Sequence, residues 1–179
     1  LHRSWNVEPE LLQATAVAGG VHNGYRDPSQ LGIDRWAAMV AAFHAHGGPL
    51  LVVDCGTALT LDHVDADGAH RGGLIAPGLG AMRRALEHNT RLSRHDVVAS
   101  ELSGFGRDTV TAVTAGCMAA ALGLIERTQA HIAAAGKLPC RLLITGGDAE
   151  VVFAHLALPW QYVPQLVLDG LNLLARSSA

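Results

Sequence analysis

The sequence predicts an α/β fold, one mixed sheet with helices packed against it. Three observations predict it. Between Leu50 and Ile75 three apolar segments follow in close succession, and Asp65-Ala66-Asp67-Gly68 forms a hairpin turn between the second and third. From Asp108 onward the order becomes helix, strand, helix, which suits one lobe of a mixed-sheet α/β protein. Of the 179 residues, 49% are hydrophobic and 16% charged, so the chain can bury a core. With only 4% aromatic residues, that core is built from Ala, Leu, Val and Gly in close packing.

Residues 1–31 read as an irregular entry with one short strand or helix, because Pro9, Gly19, Gly20, Gly24 and Pro28 interrupt any longer element. Asp34 to His46 is a helix: Trp36, Met39, Val40 and Phe43 recur at helical spacing, and Gly47-Gly48 closes it. Leu50 to Val53 is a strand buried on both faces. Thr57 to Val64 and Ala69 to Ile75 are the next two, the last ended by Pro77 and Gly78. Ala81 to Asn89 reads as a helix, and Arg91 to Gly106 as a polar, irregular loop. Asp108 to about Ala135 is a long helix, apolar almost all round. Arg141 to Ile144 is a strand ended by Thr145-Gly146-Gly147, followed by a helix over Ala149 to Leu156. A short strand at Gln161 to Val163 and a helix over Leu168 to Arg176 complete the order.

Net charge is −3 and there is no lysine or arginine run, so nucleic acid is not an expected partner. The ten histidines are scattered, with no HxxxH or HExxH pair to suggest zinc. Three widely spaced cysteines, Cys55, Cys117 and Cys140, fit a reducing cytoplasm. The apolar run from Thr111 to Ile125 is too short to span a bilayer and carries Thr and Gly, so it reads as a buried or interface helix, and no membrane partner is expected. There is no signal peptide, and the chain opens on Leu1, so it is expected to be processed or part of a longer protein.

Asp54-Cys55-Gly56-Thr57 ends a buried strand on a carboxylate. Asp54 can bind a cation or orient water, Gly56 lets the backbone approach an anion, and Thr57 offers a hydroxyl. Equally, the stretch is a tight turn that Asp54 caps. Asp34 is either a general base beside a substrate hydroxyl or a helix N-cap. Arg35 is either a fork for a carboxylate or a solvated first-turn residue. Gly72-Gly73-Leu74-Ile75-Ala76-Pro77-Gly78 leaves room for a ligand or for backbone packing. Thr145-Gly146-Gly147-Asp148 holds a nucleotide or is a plain strand-to-helix turn. Asp108-Thr109 caps the long helix. Cys55 has no histidine or asparagine placed by sequence to activate it as a nucleophile. Neither GxxxxGK[ST] nor a strand-following GxGxxG occurs, which excludes a P-loop and argues against a Rossmann dinucleotide site.

Taken together, GVHNGYRDPSQLGIDRW, VVDCGTALTLDHV, GGLIAPGLGAM, GRDTVTAVTAG and LLITGGDA resemble, in order, the pattern of the type III pantothenate kinases, related proteins of which are described as Bvg accessory factors. The resemblance runs from about Val21 to the C-terminus. It implies a ribonuclease H-like lobe of the acetate kinase, sugar kinase, Hsp70 and actin superfamily. It also implies ATP-dependent phosphorylation of pantothenate, the first step of coenzyme A synthesis, by a cytoplasmic homodimer needing potassium or ammonium, with Mg2+ accompanying ATP.

By position, the resemblance makes Asp34 the general base and Gly32, Ile33 and Arg35 the substrate segment. Tyr25 becomes a pantothenate contact, and Thr109 one that reaches across the dimer. Asp54 becomes the monovalent-cation ligand, Gly56 and Thr57 phosphate contacts, and Gly146 and Gly147 the adenosine-side loop. Residues 1–46 are expected to hold the remainder of a first lobe with the substrate segment, and residues 47–179 the C-terminal lobe. Family members open on an Asp-x-Gly-Asn-Thr phosphate loop that Leu1 to Gly20 lack, so the chain is expected to be the C-terminal portion of such a kinase. A non-catalytic regulatory relative, or a kinase for another small hydroxylated substrate, is the alternative expectation.

Overall fold

The computed structural model describes residues 11–89, 104–136, 139–157 and 159–178. The expected loop at Arg91 to Gly106 falls outside them as far as residue 103, as do the first ten residues of the entry segment. The entry contains a two-stranded hairpin, β1 (Val17–Ala18) and β2 (Val21–His22). Gly19 and Gly20 form its turn with φ of 55° and 83°, the paired positive φ that a type I′ hairpin requires. A 3-10 turn at Pro28–Gln30 follows, capped by Asp27.

Helix α1 (Ile33–His46) starts at the N-cap Gly32 and stops at Gly47, whose φ of 65° takes the chain out of the helix. Strands β3 (Leu50–Cys55), β4 (Ala58–Val64) and β5 (His70–Pro77) form an antiparallel meander. Gly68, at φ 82°, closes the β4–β5 turn predicted at Asp65. Helix α2 (Leu79–Asn89) and the long α3 (Thr109–Ala134) precede β6 (Arg141–Thr145). Helix α4 (Ala149–Phe153), β7 (Gln161–Tyr162) and α5 (Leu166–Ser178) complete the order. Helix α4 ends three residues sooner than its sequence pattern suggests, and α5 extends two residues further at each end.

The five-stranded sheet runs β5-β4-β3-β6-β7. β6 and β7 are parallel to β3, and β4 alone opposes the rest. Because strand side chains alternate, β3 feeds two cores. Leu50 and Val52 join Trp36, Met39, Val40, Leu143 and Leu174 under α1 and α5. Leu51 and Val53 join Leu61, Met118, Ile125, Ile144 and Trp160 under α3 and α4. Met39 is fully buried, worth about 2 kcal/mol in area removed from water.

Helices α1 and α5 meet at Gly170, where an added Cβ would overlap the Ala37 carbonyl. Gly170→Ala is therefore expected to destabilise the chain by about 1–3 kcal/mol, although alanine favours a helix interior by about 1 kcal/mol. Urea unfolding measures this, and a more stable variant would refute the close crossing.

A capping box between Asp108 and Thr111 starts α3. One face, Thr114, Cys117, Met118, Ala121, Ile125 and Ile132, is buried. The opposite face, with Ala112, Gly116, Ala119, Ala120 and Gly123, is exposed. At 26 residues, with a mean hydropathy of 1.5 over its most apolar window, α3 is long and apolar enough to cross a bilayer by length and composition. This corrects the length argument drawn from Thr111 to Ile125: the helix continues well beyond that run at its C-terminal end.

Candidate active site

The register places a polar patch on the sheet face that α1 covers. Asp54 stands opposite Thr60 and Thr145, Val52 opposite Asp62, and Asp62 opposite Gly73. Paired residues share a face, so Asp54, Thr60, Asp62, Gly73 and Thr145 all lie on the α1 side. The first turn of α1 brings Asp34 and Arg35 to the same side.

Arg35 is buried, with side-chain exposure of 5%, and Asp62 with 3%. The guanidinium grips the carboxylate with two bonds, Nε to Oδ2 at 2.8 Å and Nη2 to Oδ1 at 2.6 Å. Its Nη1 donates to the Tyr25 hydroxyl at 2.8 Å. Burial lowers the Arg35 pKa, but the hydrogen bond and charge of Asp62, with help from Tyr25, outweigh it and the net shift is upward. His70, fully buried, sits 2.9 Å from Asp62 Oδ1 through Nε2, while its Nδ1 accepts from the Gly24 N–H at 3.4 Å. That pairing puts a proton on Nε2, directed at Asp62. The His70 ring stacks on Tyr25, centroids 6.0 Å apart. Gly73 closes the cluster: a Cβ there would strike both Asp62 Oδ1 and Arg35 Nη2.

Asp34 is exposed in the first turn of α1, where a negative charge suits the helix dipole, and its Oδ1 accepts from the Arg35 N–H at 2.8 Å. Asp54 is half-buried near the end of β3. Burial, and secondarily the charge of Asp34, hold its carboxyl above the ordinary value. The loop after β6 wraps that strand end. Asp148 N–H donates to the Cys55 carbonyl at 2.8 Å, and Gly146, at φ 104°, lies directly against Asp54 Oδ1 and Cys55. On the other side Gly56 lacks the Cβ that would touch Asp54 Oδ1, exposed Thr57 follows, and the Thr57 carbonyl accepts from Gly78 N–H at 3.0 Å. The result is a glycine-lined turn around a carboxylate, with a second carboxylate nearby. Such a turn can accept phosphate and a hard cation.

The sequence model of the type III pantothenate kinases matches residues 1–131. A type III pantothenate kinase of Herminiimonas arsenicoxydans is 43% identical over 98% of this chain and 69% of its own length. The chain belongs to the type III pantothenate kinase family. The kinase of Azoarcus sp. strain BH72 is likewise 43% identical, over 94% of this chain and 62% of its own length, so the chain spans about two thirds of such relatives. A crystal structure from Campylobacter jejuni, titled as a Baf-family transcriptional activator, superposes with a TM-score of 0.63 at 24% identity. It covers 88% of this chain and 68% of that one, which establishes the shared fold. The shared fold is thus a mixed α/β one, a five-stranded sheet with helices packed on both faces.

Within this member of the type III pantothenate kinase family, Tyr25 and Arg35 are joined directly, Gly32 and Ile33 begin the helix that carries Arg35, and Asp34 lies near Asp54. Gly56, Thr57 and Gly146 surround the Asp54 turn, with Gly147 exposed beside it. Thr109 stands exposed at the start of α3, and among the described residues no hydrogen bond or ion pair joins it to that group. The helix N-cap is Gly32, not Asp34, and Arg35 is buried, not a solvated first-turn residue. The Cys55 thiol is pushed up to about 12 by burial and by the charges of Asp54 and Asp148, which disfavours the thiolate that a nucleophile needs. Asp62 and His70 are absent from the sequence-derived site. Their signal was a charged residue at an inward strand position, opposite the glycine pair of β5.

Proposed function

We propose that this chain supplies the substrate segment and C-terminal lobe of an enzyme that transfers the γ-phosphoryl group of ATP to pantothenate, giving 4′-phosphopantothenate. The observation that carries this reading is the exposed Asp34 carboxylate at the head of α1, close enough to Asp54 to raise its pKa. Asp34 is the general base: it takes the proton of the pantothenate hydroxyl as that oxygen bonds to phosphorus and the bond to ADP breaks. Tyr25 and Arg35, with Gly32 and Ile33 shaping the segment, receive the carboxylate end. Gly56 and Thr57 approach the phosphates, and Gly146 and Gly147 flank the adenosine side.

Asp54 fits a monovalent cation, potassium or ammonium, because it is a half-buried oxygen donor in a glycine-lined turn, and a cation would offset the burial and the Asp34 charge that raise its pKa. Such a cation, and the Mg2+ that travels with ATP, supply charge neutralisation. Residues 1–46 would hold the rest of a first lobe and residues 47–179 the second. The exposed small-residue face of α3 supports a homodimer in which Thr109 reaches the partner's substrate. Free thiols at Cys55, Cys117 and Cys140 support a cytoplasmic setting.

The test is ATP-dependent phosphorylation of pantothenate with potassium or ammonium, by the chain alone and with an upstream Asp-x-Gly-Asn-Thr lobe restored. Turnover supports the reading, and silence in both forms refutes it. Asp54→Asn is expected to abolish activation by the cation and to lower kcat ~10²-fold. The same variant should raise Tm in cation-free buffer at pH 7. A carboxyl whose folded pKa is raised costs stability once pH climbs above its unfolded value, and that cost grows until the folded pKa is passed. The wild type should therefore lose stability relative to Asp54→Asn as pH rises from 3.8, and parallel pH–Tm curves would contradict the assignment.

A further inference from the structure

We infer that Asp62 is the positioning residue for carboxylate recognition, acting through Arg35 on the Tyr25 hydroxyl. The inference rests on the kinase reading above and deepens it. A guanidinium has five N–H donors. Nε and one N–H of Nη2 are taken by Asp62, and one N–H of Nη1 is taken by Tyr25. Among the described residues, one N–H on each Nη then remains for another acceptor.

The Tyr25 oxygen is an acceptor toward Arg35, so its own proton is free to be donated elsewhere. Tyr25 is only partly buried, so that proton has a way out of the cluster. Asp62 thus sets the direction of three donors without being reachable itself. His70 braces the arrangement from the other side, bonded to Asp62 and stacked on Tyr25. Gly73 provides the space in which the pair can close.

The charges matter as much as the geometry. Asp62 neutralises Arg35, so the carboxylate is recognised by aimed donors and not by net positive charge. A site of this kind disfavours an analogue that offers one acceptor oxygen in place of two, because a donor is then left unpaired. The chemical class it selects is a small hydroxylated carboxylate, and the uncharged alcohol analogue of pantothenate, pantothenol, is the discriminating probe.

The experiment compares wild type, Asp62→Asn and Tyr25→Phe, and the double variant, with pantothenate, pantothenol and ATP as varied substrates. Asp62→Asn is expected to raise KM for pantothenate ~10–100-fold, with kcat and the KM for ATP changed less than about threefold. The preference for pantothenate over pantothenol should fall by a similar factor. Tyr25→Phe keeps the buried ion pair and its fold, and should give the same pantothenate-specific rise. The double variant should be no worse than the worse single one, as expected for residues acting as one unit.

An Asp62→Asn enzyme with unchanged pantothenate KM, or with all parameters lowered together, overturns the inference, as does full additivity with Tyr25→Phe. If Asp62→Asn fails to fold, a Tyr25→Phe enzyme that retains full selectivity against pantothenol overturns it. A wild type that neither binds nor phosphorylates pantothenate sinks the kinase reading as well. An active wild type with an indifferent Asp62→Asn sinks the positioning role alone.

Discussion

Asp34→Asn is expected to lower kcat for pantothenate phosphorylation by ~10²- to 10⁴-fold while leaving the fold intact. The side chain is exposed, and it accepts a hydrogen bond from the adjacent Arg35 N–H, which an asparagine oxygen can also accept. The stability cost is that of losing a negative charge in the first turn of a helix, about 0.3–1 kcal/mol. Steady-state kinetics and a thermal melt on the same preparation separate the two effects. A variant that keeps wild-type kcat would remove Asp34 from the chemistry. The substitution should also bring Asp54 closer to its ordinary pKa, since the Asp34 charge is the second cause of its elevation.

Gly146→Ala should be a damaging single-methyl change near the cleft. Its φ of 104° is one that side-chain-bearing residues rarely adopt, and the new methyl would press on Asp54 Oδ1 and the Cys55 carbonyl. The loop cannot simply retreat, because Asp148 N–H is bonded to that same carbonyl. A loss of about 1–3 kcal/mol is expected, with a rise in the KM for ATP as the strand end shifts. Gly147→Ala is the control. Nothing lies within 4 Å of its would-be Cβ and its φ is not in the left-handed range, so stability should hold to within about 0.5 kcal/mol. Equal losses at the two glycines would mean that this turn is not the tight one.

The sheet was legible because its signals are local. Leu50 to Val53 is a continuous apolar run, and Asp65-Ala66-Asp67-Gly68 has the residues its turn needs. The pairing of β6 beside β3 was not legible, since it joins residues about ninety positions apart and no local pattern specifies it. The same holds for the site. Asp34 and Asp54 each stand out by type and position, but their electrostatic coupling exists only once α1 packs on the sheet. Asp62 was passed over for a different reason. In a strand, an aspartate ordinarily marks the solvent side, and here it points inward because Arg35, from another element, meets it there. Helix α3 was recognisable as long and apolar, yet which of its faces is buried depends on the sheet beneath it.

The burial of the Arg35–Asp62 pair also decides how the molecule meets dissolved ions. Mobile counterions screen charges that water can reach, over about 8 Å at physiological ionic strength. Arg71, half exposed, with its partners Asp65 and Asp67 at the β4–β5 turn, lies open to that screening. Arg35 and Asp62, nearly sealed from solvent, do not. Raising salt therefore loosens the surface turn and leaves the buried guanidinium's grip on Asp62 untouched, so ions can be abundant around the sheet without blunting that sealed ion pair.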